Sequence, residues 1–112
     1  MTEYQIEFTE DAKHDLSFYT AHDRKIITSE IRTQLSRQPL VETKNRKPLR
    51  DNPLAPWELR IGKFRIFYQG VESIVSIIAI GHKEHDVLFI KGKEVKLWKL
   101  SILSKKNRNW IN

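Results

Sequence analysis

The sequence predicts one α+β domain, in which an N-terminal strand and a two-helix hairpin pack on a curved, mainly antiparallel sheet of three to five strands. Three observations carry that expectation. "YQIEF" at residues 4–8 alternates apolar and polar side chains, the period of a half-buried strand. Ile27, Ile31 and Leu35 recur every four residues, as along one face of a helix. "WELRIGKFRIFYQ" at residues 57–69 reads as two strands joined by a tight glycine turn.

In chain order, Tyr4, Ile6 and Phe8 give the first strand its apolar face. Thr9 is suited to cap a helix, with Glu10 and Asp11 in a first turn where the helix dipole favours negative charge. Ala12, Leu16 and Tyr19 form a stripe over about three turns. Asp23 is placed to cap a second helix, which ends before Pro39 because a residue preceding proline avoids the helical region. Gln38 to Pro56 holds all four prolines and the basic residues Lys44, Arg46, Lys47 and Arg50, and reads as one long connection. Trp57–Ile61, Phe64–Gln69 and Ile74–Ile80 then form a meander, turning at Gly62-Lys63 and at Gly70–Ser73. The apolar run Val87–Ile90 fits either a fifth strand or one buried turn of helix. Residues 1–97 are read as the domain and 98–112 as a basic, part-helical extension.

The 112 residues suffice for one domain, and the balance of 39% hydrophobic to 30% charged is that of a folded chain. Cysteine is absent, which excludes a disulfide framework or a thiolate metal site. No signal peptide or membrane span is legible, so a soluble cytoplasmic protein is expected. Residues 1–40 hold five Lys/Arg against seven Asp/Glu, whereas residues 41–112 hold fifteen against seven. That asymmetry points to an anionic partner, nucleic acid or an acidic protein segment, unless it is simply a solvated basic surface.

A two-residue turn at Gly62-Lys63 pairs Ile61 with Phe64, Arg60 with Arg65, Leu59 with Ile66, Glu58 with Phe67 and Trp57 with Tyr68. The apolar members share one face, to be covered by the helices; Glu58, Arg60 and Arg65 share the other. Two arginines directly opposite each other repel, by roughly 0.2–1 kcal/mol for a cross-strand pair. Such a pair makes a phosphate clamp, because planar guanidinium groups bind phosphate bidentately. The alternative is that Glu58 and Glu84 neutralise it. His82 and Lys83 follow the third meander strand, where an imidazole can move a proton and a lysine can steady charge on phosphate. RNA cleavage needs those groups together, with Arg60, Arg65 and His82 on one face. His14, His22 and His85 read as surface residues. No metal-ligand spacing or glycine-rich phosphate loop is present, and no cofactor is expected.

The order of strand, helix hairpin, basic loop, "PWELRIGKFRIFYQ", strand and "IAIGHKEHDVLF" resembles the RelE/ParE toxin superfamily of prokaryotic type II toxin–antitoxin systems, over roughly Tyr4 to Leu97. That resemblance implies a cognate antitoxin that wraps the chain, and operator DNA reached through that antitoxin. RelE-like members are metal-independent mRNA endonucleases acting on the ribosome; ParE-like members share the fold but poison DNA gyrase. By position, Arg65, Arg60 and Lys83 or His82 match the family's basic residues, and Glu58 is a further candidate base. Lys44, Arg46, Lys47, Arg50 and Lys63 would bind RNA. The chain has Pro56 and Glu58 where the RelE branch has paired lysines, and Leu88 and Phe89 where many members have a tyrosine. The expectation is a ribosome-dependent mRNA interferase, with a gyrase-binding toxin or a weakened toxin-fold partner of the antitoxin as alternatives.

Overall fold

The computed structural model describes residues 3–95, so the 98–112 extension lies outside the described residues. The elements run β1 (Gln5–Phe8), α1 (Glu10–Leu16), α2 (Ala21–Leu35), β2 (Arg46–Pro48), β3 (Trp57–Ile61), β4 (Phe64–Val71), β5 (Ile74–Glu84), β6 (Val87–Ile90) and β7 (Lys93–Val95). Strands β2 to β7 lie side by side in chain order, each antiparallel to the next, and β1 joins β5 in parallel. The fold is therefore α+β with a mainly antiparallel sheet, as the sequence implies.

Two threonines set the helices. The Thr9 side chain accepts a hydrogen bond from the Ala12 amide and that of Thr20 from the Asp23 amide, both at 3.1 Å, satisfying amides that a helix start leaves unpaired. Thr20, not Asp23, caps α2, and Asp23 lies in its first turn. The first helix is also shorter than three turns. It stops at Leu16, the Ser17 hydroxyl donating to the His14 carbonyl at 2.6 Å, and Tyr19 falls in the connection.

Three further departures concern strands. The expected long connection contains β2, because Arg46–Pro48 pairs with Trp57–Leu59; a proline fits there at the strand's end. The turn after β4 is tighter than Gly70–Ser73, since Val71 and Ile74 still pair and Glu72 takes a positive φ of 55°. Val87–Ile90 is a strand, and it is followed by β7, whose three residues carry no readable alternation.

One core fills the space between helices and sheet, where Ile27, Ile31 and Leu35 meet Leu59, Ile61, Phe64, Ile66, Tyr68, Ile77 and Ile80. A second, smaller cluster lies on the opposite face, with Phe67, Ala79 and Leu88 beneath Leu49, Leu54 and Ala55. A bulge links the two: Phe67 pairs with Ala79 but Tyr68 with Ile77, so Ile78 is an extra residue and packs on the second cluster. Between β1 and β6 the edge of β5 is closed by side chains. The Thr9 hydroxyl donates to the Ile78 carbonyl at 3.2 Å, and the buried Asp15 carboxylate accepts from the Ile80 amide at 2.9 Å. Lys91 completes the plug, 2.9 Å from Asp15.

Candidate functional site

The β3–β4 hairpin has the pairing that the sequence implies, Arg60 opposite Arg65 among the rest. Gly62 holds the turn at a φ of +57°, a conformation that a side chain disfavours. Alternation then divides the side chains between a face covered by helices and an open face. Glu58, Arg60 and Arg65 fall on the open face with Phe67. Lys47 on β2 joins them because it pairs with Glu58, and Lys83 on β5 because it lies two residues beyond Gly81, the partner of Arg65. Leu59 and Ile66 lie on the helix face.

The two arginines avoid each other by turning in different directions. Arg60 Nε lies 3.1 Å from the Glu58 carboxylate, which is itself 5% exposed. Arg65 bends towards the hairpin tip, where its Nη1 donates to the carbonyls of Gly62 at 2.7 Å and Phe64 at 2.9 Å. Burial pulls the Arg65 guanidinium below the ordinary arginine value, with Glu58 opposing that shift and Arg60 adding to it. Arginine titrates so far above neutrality that it stays charged. Half of the neutralising alternative therefore holds: Glu58 pairs with Arg60, but Glu84 does not reach the arginines.

Glu84 instead lies 3.4 Å from His82, which is on the other side of the sheet. His82 pairs with Phe64 and Phe89, so it shares the helix face. Its Nδ1 shares a 2.7 Å hydrogen bond with the Tyr19 hydroxyl, and its ring stacks on Phe89 with centroids 5.4 Å apart. This corrects the expectation that Arg60, Arg65 and His82 lie on one face. The physical reason is the two-residue period: His82 and Lys83 are neighbours, so only one of them can join the arginines, and the register selects Lys83.

The basic residues of the loop separate in the same way. Arg46 pairs with Leu59, on the helix face, and its guanidinium donates to the carbonyls of Gln34 at 2.6 Å and Val41 at 3.1 Å, tying the end of α2 to the sheet. That engagement removes it from a basic patch. Lys47 lies 3.6 Å from Glu42, while Lys44 and Arg50 are exposed. Lys63 rests 5.6 Å over the Phe64 ring at the hairpin tip. Two contributors escaped the sequence reading. Tyr19 was legible only as part of an apolar stripe, and Asp15 carried no signal, since its partners are 65 and 76 positions away in the chain. Among the described residues no group of His, Cys, Asp or Glu is arranged to hold a metal ion. No helix among them is long and apolar enough to cross a membrane.

A small α+β domain with a cationic hairpin on the open face of its sheet is the architecture of a toxin of the RelE/ParE type. Residues 6–87 match the family described as the ParE toxin of the type II toxin–antitoxin system parDE, and the chain belongs to that family. Among solved structures, it is similar to a chain in the crystal structure of the toxin–antitoxin complex RelBE2 from Mycobacterium tuberculosis. The two are 29% identical with a TM-score of 0.60, over 73% of this chain and all of the other. A search of curated proteins gave no significant match.

Proposed function

We propose that this toxin acts by binding a protein target through the open face of its sheet, in the manner of gyrase-directed ParE toxins, rather than by cutting mRNA. The observation that carries this reading is the separation of cations from proton-transfer groups. Arg60, Arg65 and Lys83 line the open face, while His82 lies behind the sheet against Tyr19, and Glu58 is buried beside Arg60. Phosphodiester cleavage needs a base within hydrogen-bond reach of the 2′-hydroxyl. An imidazole behind the sheet does not meet that requirement. A cationic surface with two guanidinium groups suits acidic side chains on a partner as well as it suits phosphate.

A second reading keeps the nuclease, with Glu58 as base and Arg65 and Lys83 stabilising the phosphate; the 3.1 Å contact of Glu58 with Arg60 favours it by keeping a carboxylate among the cations. The experiment is to assay the free toxin on gyrase supercoiling and on ribosomes translating a defined mRNA. The binding reading expects growth arrest without ribosome-dependent cuts, and toxicity that survives His82→Ala. Ribosome-dependent cuts that fall by roughly 10²–10³-fold in Arg65→Ala would replace it with the nuclease reading.

A further inference from the structure

The open face has a second end. Val71 and Ile74 pair across the β4–β5 turn and are 60% and 38% exposed, and both lie on the same face as Arg65. The other face of this end is covered: Gly70 pairs with the helix-face residue Val75, and a Cβ on it would come within 3.1 Å of Leu40 Cδ2, so Leu40 packs behind the sheet and leaves Val71 and Ile74 open. On this face the cationic group (Arg60, Arg65, Lys83) is at one end and the apolar pair at the other. Between them Leu49, Leu54 and Ala55 cover Phe67. The six steps of β4 from Arg65 to Val71 span about 20 Å at roughly 3.3 Å per residue.

We infer that the antitoxin docks along this open face, with an apolar segment seated on Val71 and Ile74 and an acidic segment about 20 Å away at Arg60, Arg65 and Lys83. Charge complementarity singles out this occupant. A purely apolar partner would leave the cationic end uncovered, and a purely acidic one would gain nothing from two exposed aliphatic side chains. Two aliphatic residues are also too small a platform for a stable complex, which buries about 1,200–2,000 Å², so the contact must extend towards the charged end. Acidic residues there would speed encounter, while the apolar seat would set the lifetime of the complex. Occupying this face would also block any target that uses it. The inference rests on membership of a toxin–antitoxin family and not on the choice between gyrase and mRNA, so either can fail alone.

The test uses the chain with the product of its adjoining reading frame. A Val71→Ser/Ile74→Ser double variant should raise Kd by tenfold or more, mainly through faster dissociation, while the free variant keeps the parent's circular dichroism and Tm. Lys83→Glu should slow association and flatten its dependence on salt. Hydrogen exchange should show protection on antitoxin binding at the β4–β5 turn and at the β3–β4 hairpin. An unchanged Kd in the double variant, protection confined to α1 and α2, or no binding by that product would overturn the assignment. So would a free chain that is dimeric and becomes monomeric in the double variant, since the occupant would then be a second copy.

Discussion

The two faces of the sheet are built from the same strands and have opposite characters. On the helix face the central side chains are committed: Leu59, Ile66, Tyr68, Ile77 and Ile80 are fully buried, Arg46 is bonded to the end of α2, and His82 is held by Tyr19. On the open face, among the described residues, the middle is sealed by residues folded over Phe67, while one end carries charge and the other exposed aliphatic surface. Because neighbouring residues point to opposite sides, a residue's type says less about its role than its parity does. Arg46 and Lys47 are adjacent basic residues, yet the first is a brace and the second a surface charge.

The largest test of this contrast is core truncation. Leu59→Ala or Ile31→Ala should cost about 2–5 kcal/mol in urea unfolding, whereas Val71→Ala on the open face should stay within about 0.5 kcal/mol. Equal losses would break the distinction. Next in size, Arg46→Ala should cost about 1–3 kcal/mol, because it strips the donors from two carbonyls, and Lys44→Ala should do almost nothing. The smallest effect is alkaline. Tyr19 is pushed up to about 12 by burial first, then by Asp15 and Asp23. Its unfolded form ionises near the ordinary value of 10.0, so its contribution is intact below that pH and is lost as pH rises towards about 12. Lys91, raised chiefly by its hydrogen bond to Asp15, acts in the same direction. Tyr19→Phe should therefore make the loss of stability between pH 10 and 12 shallower, read as Tm against pH; an unchanged slope would mean that Tyr19 is not held as described.

The hairpin register was legible to the residue, because the two-residue turn leaves one way to pair the flanking strands and the apolar alternation agrees with it. The second helix was equally plain from Ile27, Ile31 and Leu35. What could not be read depended on distance along the chain. β2 and β7 are three residues each, too short to show a period, and are strands only because a neighbour pairs with them. The face taken by His82 follows from counting through β5 from its pairing with β4, and β5 runs four residues past the predicted end at Ile80. The opposed arginines were correctly placed and Glu58 was a legible partner for them, but the turning of Arg65 towards the carbonyls of Gly62 and Phe64 was not foreseeable from composition.

The parallel pairing of β1 with β5 has a consequence in time. Thr9 and Ile78 are 69 residues apart, and β5 is the strand that β1 pairs with. During synthesis at roughly 5–20 residues per second, the first strand must wait on the order of 3–14 s for its partner to be made. Throughout that interval the helices have no complete sheet to cover, and neither face exists as a surface. Until the central strand has been translated, the chain therefore has neither face to offer to a target or to an antitoxin.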